Sequence, residues 1–203
     1  VRFMAFARTF HAGTLEEDLD GRNMEDVYGA LMSVRRLCET PSDQAVSIRI
    51  FNPSLASDGW VSPHSVAQIR HPDSPFIVDS FLMALARREL TLHSMHNVVL
   101  RLTRDTSGCI TDLEGSAERA EVVIHAEIDR LDVEEFDAFE ADLRETLADV
   151  RAAVGDFRAM RARIEALIEG IDGAASAIDA DEREEARAFL QWLLDDNFTF
   201  LGY

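Results

Sequence analysis

Histidine, arginine and carboxylate side chains recur on two segments that alternate like β-strands. His93 and Arg101 lie on the first segment, and the second carries His125, Glu127 and Asp129. Alternate residues of a strand point to the same face, so neighbouring strands would gather these side chains on one polar sheet face. A histidine near a carboxylate can act as a general base, which makes a stand-alone hydrolase one candidate. The strands carry no nucleophile, so we favour the alternative of a solvated or domain-packing face.

The remaining chemistry-bearing residues form no recognisable metal or cofactor motif. His93 and His96 are three apart on a predicted strand and point to opposite faces, which excludes a joint pair of metal ligands. Cys38 and Cys109 are too few for a disulfide framework and belong to no CxxC motif. None of the ten glycines lies in a GxGxxG or GxxxxGK[ST] segment. We therefore predict no catalytic residue, no metal and no cofactor in this chain.

A second candidate site is the turn at Asp73-Ser74-Pro75, where a predicted strand leads into a helix. Ser74 is a favourable N-cap and Pro75 a favourable first helical residue, so a helix is predicted from here to about Glu89. Amide groups at its N-terminus could hold an anion such as a carboxylate. The alternative is a capped helix without a ligand.

Apolar spacing predicts the elements that position these residues. Helices are predicted up to about residue 40, with a capping box at Thr14 and Glu17. The order that follows is strand, helix, strand, strand, helical insertion, strand, which predicts an α+β, ferredoxin-like β-α-β-β-α-β sandwich with one covered and one more polar face. The strands of this prediction are 45–51 and 65–70 as a hairpin-like pair, 91–103, 122–128 and, last, 198–203.

A helical hairpin is predicted between residues 132 and 196. Its first helix begins at Asp132, with Glu135 completing a capping box, and reaches Gly170. Its second helix, from Asp181 to Asp196, is too short to cover the first, so apolar surface is predicted to pack on another subunit or on a downstream domain. This predicted interface is a stripe of apolar side chains seven residues apart: Phe136, Leu143, Val150, Phe157 and Ile164.

This pattern divides the chain into three parts. They are an N-terminal helical segment (1–44), an α+β domain (45–131 with 197–203) and the helical hairpin (132–196). Because the chain begins with Val and ends on an aromatic segment that alternates like a strand, it is predicted to be a piece of a longer protein.

Charge and hydropathy limit the partners. The chain has 38 acidic and 20 basic side chains, all of the latter arginine, and a net charge of -18. Such a field repels nucleic-acid phosphates and anionic membranes. No apolar run approaches the roughly 18 residues of a membrane span, and the first residues lack a signal-peptide segment. We predict a cytoplasmic protein with no nucleic-acid or membrane partner.

Several separate motifs resemble one enzyme family. In order, they are Arg49-Ile50-Phe51-Asn52-Pro53, Asp58-Gly59-Trp60, the run from Asp73 to Ser80, the segment from His125 to Arg130, and Phe198 to Tyr203. Together they resemble the N-terminal region of the large bacterial NAD-dependent glutamate dehydrogenases over nearly the whole chain. The resemblance implies an ACT-like module, a class associated with amino-acid sensing and assembly. It also implies a parent enzyme that deaminates L-glutamate to 2-oxoglutarate with NAD in a downstream domain.

The resemblance also implies where an effector would bind. Ligand-binding ACT domains typically place Asp-x-Pro-Gly at the first strand-to-helix turn, and here Phe76 stands at the glycine position, where it would crowd a ligand. The leading prediction is a non-catalytic regulatory and assembly domain that forms a homo-oligomer and packs on downstream domains. The alternative is a sensor that binds a small amino-acid effector through Asp73, Ser74, Phe76, Asp79 and Ser80.

Overall fold

The protein forms two compact units, residues 1–147 and 148–203. Each has its own internal packing. The computed structural model describes residues 2–12, 21–39, 46–106, 110–113, 119–171 and 179–200.

Two helices come first, α1 (Arg2–Phe10) and α2 (Met24–Glu39). The helical spacing of Leu31 and Val34 predicts α2, and both side chains are buried in a cluster with Phe6 and Phe10 of α1. The predicted helical region is therefore confirmed. The capping box at Thr14 and Glu17 lies outside the described residues.

An antiparallel sheet follows, in the spatial order β1-β2-β5-β3-β4. Its described strands are β1 (Ser47–Phe51), β2 (Ser65–Pro72), β3 (Leu92–Arg104), β4 (Ile110–Leu113) and β5 (Arg119–Ile128). The predicted pairing of β1 with β2 is confirmed. β4 lies between the predicted strands 91–103 and 122–128, where the sequence pattern predicts no strand.

The connection β2-α3-β3 contains α3 (Ile77–Arg87), and β5 lies between β2 and β3, antiparallel to both. This arrangement occurs in ferredoxin-like folds, and the α+β class is confirmed. The predicted last strand, 198–203, is not confirmed, because residues 198–200 form no strand and residues 201–203 lie outside the described residues. β1 instead forms the sheet edge beside β2, because a segment close in sequence closes a short loop at low entropic cost.

Both faces of the sheet are buried at its centre. Val123 of β5 packs against Val34 and Phe10, so α1 and α2 cover the face that also carries His125 and Glu127. On the opposite face, β5 buries Val122, Ile124, Ala126 and Ile128. The face with His125 and Glu127 is the more polar one, as predicted, but α1 and α2 also cover it, so its polar groups find hydrogen-bond partners under the helices.

The long helix α4 (Phe136–Gly170) follows a 3₁₀ turn, Val133–Glu135, and the predicted capping box of Asp132 and Glu135 is present. The start of α4 lies beside the end of α3, where the Arg88 guanidinium donates a hydrogen bond to the carboxylate of Asp142 over 2.9 Å. In the second unit, α5 (Ala180–Trp192) continues into a π-helical turn, Leu193–Asn197. The predicted pair of helices is thus confirmed, whereas the three-part division of the chain stays a prediction.

Candidate functional site

A buried polar network lies on the sheet face beneath α2. The Gln68 side-chain amide lies 3.1 Å from Nδ1 of His125 and 3.1 Å from the Ser33 hydroxyl of α2. The Arg49 guanidinium donates to the same hydroxyl over 3.3 Å. His125 is only 2% exposed, so the network joins α2 to β2 and β5 inside the first unit.

Glu127 continues this network towards the surface. Its Oε1 accepts a hydrogen bond from the Arg22 guanidinium at 2.6 Å, and its Oε2 accepts one from the Ser62 hydroxyl at 3.2 Å. Arg22 also donates to the hydroxyl of Ser94 on β3 over 3.3 Å. Both oxygens of the buried carboxylate are therefore occupied by groups of the protein itself.

Two of the five residues predicted to share one polar face lie elsewhere. A register shift between Leu92 and Ser94 places Ser94 opposite Glu127, and His96 then lies opposite His125. The skipped residue, His93, bonds to Asp129 with 2.8 Å between Nε2 and Oδ1. Arg101 pairs with Ala120, which alternation places on the opposite face of β5. The predicted grouping of Arg101 with His125 is wrong because the register places even-numbered residues of β3 opposite His125 and Glu127. His93 leaves the group because it is the extra residue of the bulge.

The pKa values of His125 and Glu127 are both lower than their ordinary values, for different reasons. Burial lowers the pKa of His125 to about 4, although the charge of Glu127 opposes this. Burial alone would raise the pKa of Glu127, but the hydrogen bond and charge of Arg22 bring it below its ordinary value. At neutral pH an uncharged imidazole thus lies near an ionised carboxylate. A base with so low a pKa and no solvent access is poorly suited to proton transfer.

A cavity of about 290 Å³ adjoins Glu127 between the start of α2 and the loop at 60–64. Its wall includes Arg22, Asp26 and Trp60. Among the described residues, no partner accepts the indole N–H of Trp60, which is buried. Asp26 fixes the loop, since its carboxylate accepts the amide of Val61 over 2.9 Å. Arg22, Ser62 and Gln68 were not predicted as site residues. Of these, only Gln68 carries a sequence signal, because it is a polar residue at an inner position of the buried strand β2.

The turn from β2 into α3 differs from its prediction. The helix begins at Ile77 rather than at Pro75, and no side chain caps it, so the predicted N-cap at Ser74 is wrong. Phe76 occupies the N-cap position with φ of 69° and is 63% exposed. Proline keeps the residue before it extended, and the left-handed residue after it completes the change of direction. Phe76 thus adopts, at the glycine position, the backbone that glycine favours.

The remaining turn residues are only partly brought together. The amide of Asp73 donates to the Ala120 carbonyl of β5 over 2.8 Å, which fixes the turn to the sheet. The amide of Ser80 donates to the Phe76 carbonyl over 2.9 Å, and Asp79 lies in the first turn of α3. Whether these residues bind a ligand stays a prediction.

The predicted interface stripe lies on α4 with unequal burial. Leu143 is fully buried in the first unit, while Phe136, Val150 and Ile164 are half-buried. Phe157 is 41% exposed, and its ring lies 6.3 Å from that of Phe200. The start of the stripe is therefore core, and only its later part is available to a partner.

Other kinds of site find no support in the described residues. Within these ranges no group of three or more histidine, cysteine or acidic side chains could hold a metal ion. Cys38 is a buried free thiol, and burial raises its pKa to about 12. Cys109 lies outside the described residues. No described helix has both the length and the apolar character that a bilayer crossing requires.

A family model of the glutamate dehydrogenase ACT1 domain matches residues 6–143, which include the second half of α1, all of α2, the sheet and α3, and the start of α4. The chain belongs to the glutamate dehydrogenase ACT1 family. The resemblance inferred from the five sequence motifs is thereby confirmed.

Two relatives of this ACT1-family chain are named NAD-specific glutamate dehydrogenase. The protein of Halomonas elongata is 40% identical over 205 aligned residues, and that of Pseudomonas aeruginosa is 34% identical over 204. Each alignment covers 98% of this chain but only 13% of the relative. The chain thus spans about an eighth of the length of these relatives.

Proposed function

We propose that this chain is a non-catalytic regulatory and assembly domain of an NAD-dependent glutamate dehydrogenase. The parent enzyme would convert L-glutamate to 2-oxoglutarate and ammonia in the cytoplasm and bind NAD in a downstream domain. The observation that carries the proposal is the ACT1-family match over residues 6–143. The parent enzyme is inferred from the two relatives, which are named NAD-specific glutamate dehydrogenase and are about eight times longer than this chain.

The arrangement of His125 and Glu127 supports a non-catalytic role. Arg22 and Ser62 occupy both oxygens of the Glu127 carboxylate, and Gln68 holds His125 in the interior. A catalytic base has to reach the proton that it removes. These residues hold α2 and the 60–64 loop on the sheet instead.

Assembly would use the later part of the α4 stripe. Val150, Phe157 and Ile164 are half-buried or exposed in the second unit. Burial of such side chains on another subunit is favoured by about 25 cal/mol per Å², which supports a homo-oligomer.

An activity assay of the chain tests the non-catalytic role. We expect no turnover of glutamate with NAD by the 203-residue chain. In the longer natural enzyme, we expect His125→Gln to leave kcat nearly unchanged at 25 °C, whereas loss of a catalytic base costs factors of about 10²–10⁴. Turnover by the 203-residue chain, or a loss of that size in the variant, would contradict the proposal.

A second candidate function is an amino-acid sensor at the β2-α3 turn. It is favoured by the glycine-like backbone of Phe76 and by the absence of a side-chain cap on α3. The effector carboxylate would lie at the helix N-terminus and its ammonium near Asp73 or Asp79. The turn residues Ser74, Phe76 and Ser80 would complete the site.

Calorimetric titration of the chain with each of the twenty amino acids tests the sensor. Binding heat should be lost in Asp73→Ala and retained in the matched control Asp137→Ala, an exposed residue of α4. An absence of heat with every amino acid, or heat that persists in Asp73→Ala, would count against this site.

A further inference from the structure

Helix α5 carries a pair of exposed aromatic side chains. The rings of Phe189 and Trp192 stack at 6.2 Å, and the side chains are 57% and 47% exposed. Phe198, which follows the π-helical turn, is similarly exposed, and its ring contacts Phe200 at 5.5 Å. We name the stacked pair of Phe189 and Trp192 the α5 aromatic surface.

These aromatic side chains do not contribute to the core of their own unit. α5 buries none of its residues, and among the described residues from 148 to 200 only Met160 and Leu194 are buried apolar side chains. A unit that buries so little while exposing three large rings is typical of a surface that another protein surface covers.

The charges around the α5 aromatic surface define the chemistry of its partner. Glu185 lies one helical turn before Phe189, and Asp195 lies just after Trp192, whereas Asp196 already pairs with Arg161 of α4 at 3.5 Å. Residues 148–203 hold 12 acidic and 6 basic side chains. A second copy would bring the same negative surface against itself. Arginine fits better, because its guanidinium both stacks on aromatic rings and pairs with carboxylates.

We propose that the α5 aromatic surface docks on another part of the same longer polypeptide, on an apolar patch that carries arginine side chains. This inference rests on the proposed function, in which the chain is one domain of a larger enzyme. The chain covers only 13% of its relatives, so most of such a polypeptide lies outside it. A covalently linked surface is present at high effective concentration, which favours it over a separate partner.

Oxidative footprinting with mass spectrometry tests the docking in the longer natural enzyme and in the 203-residue chain. Trp192 should be labelled several-fold more slowly in the longer enzyme. Leu55, exposed in the first unit, should be labelled equally in both, and buried Trp60 should be protected in both. Phe189→Ser in the longer enzyme should restore labelling of Trp192, whereas the matched control Leu55→Ser should not.

Three outcomes would overturn the docking. Equal labelling of Trp192 in both proteins would show that the surface stays open. Protection that rises with the concentration of the 203-residue chain would assign the surface to a second copy. Protection in that chain at every concentration would assign it to residues 1–147. None of these depends on turnover, so failure of the docking is distinguishable from failure of the proposed function.

Discussion

Gly29 of α2 lies directly against Trp60: a Cβ atom at Gly29 would be 2.4 Å from the Cβ of Trp60 and 2.6 Å from its Cγ. The Cβ atom of Trp60 is fixed to its backbone, so rotation of the indole cannot relieve this contact. The absence of a side chain at Gly29 therefore allows α2 to approach the 60–64 loop, which lines the cavity beside Glu127.

Gly29→Ala should lower the free energy of unfolding by about 2 kcal/mol, because overpacking of this kind typically costs about 1–3 kcal/mol and exceeds the gain in helix propensity. The matched control is Gly155→Ala in α4, where no atom lies within 4 Å of the added Cβ. The control should gain about 0.5–1 kcal/mol. Urea denaturation followed by circular dichroism measures both; a stabilised Gly29→Ala would refute the close contact.

Acid should destabilise the first unit through His125. Its pKa is lowered from 6.5 to about 4 by burial, so the folded state binds fewer protons than the unfolded state. The uncharged His125 therefore makes its full contribution to the free energy of unfolding above pH 6.5, and this contribution is lost as the pH falls from 6.5 to about 4. A shift of this size corresponds to roughly 3 kcal/mol.

His125→Gln should flatten the dependence of unfolding free energy on pH between 6.5 and 4. His93→Gln is the matched control, because the His93 side chain is 34% exposed and its hydrogen bond to Asp129 lies at the end of the strands. Denaturation curves at half-unit pH steps give both slopes. An unchanged slope in His125→Gln would show that another group binds the protons.

Phe76→Gly should stabilise the protein. A non-glycine residue with φ of 69° costs roughly 1–2 kcal/mol, and the exposed phenyl ring returns little burial energy. We expect a gain of about 1 kcal/mol, since glycine also raises the entropy of the unfolded chain. Phe76→Ala removes the ring but keeps the Cβ and should show no such gain. Thermal denaturation measures the melting temperatures of the two variants, and equal values would exclude backbone strain at Phe76.

The Arg22–Glu127 pair should contribute measurably to stability. Glu127→Gln should cost about 2 kcal/mol, because hydrogen bonds to charged groups contribute roughly 1.5–3 kcal/mol. A double-mutant cycle with Arg22→Met isolates the coupling. The more exposed pair of Arg87 and Asp142, 3.5 Å apart, provides the control and should couple by less than about 1 kcal/mol. Equal coupling in both pairs would refute a special role for Glu127.

Local patterns predicted the elements of the first unit well. Leu31 and Val34 at helical spacing predict α2, and Ile48 and Ile50 at alternate positions predict β1, because burial of one face leaves a periodic signal. The capping box of Asp132 and Glu135 predicts the start of α4 for a similar reason: the hydrogen bonds that satisfy a helix end are local.

The failures concern single residues with nonlocal effects. The extra residue at His93 has no signal in composition, yet it reverses the alternation of β3 at that point. Nor can spacing show that Arg22 meets Glu127, because the two are separated by 105 positions. The predicted last strand fails for a different reason: residues 198–200 alternate in sequence, yet alternation alone does not supply a neighbouring strand to pair with.

The position of β5 has a consequence for synthesis on the ribosome. This strand lies between β2 and β3 but is the last strand of the sheet to be made. Until it emerges, the β1-β2 pair and the β3-β4 pair have no strand to join them. The covering helices α1 and α2, complete by residue 39, would meanwhile expose Phe6, Phe10 and Val34. Nascent chains that end before Ile128 should therefore bind chaperones, and release should coincide with the emergence of Ile128.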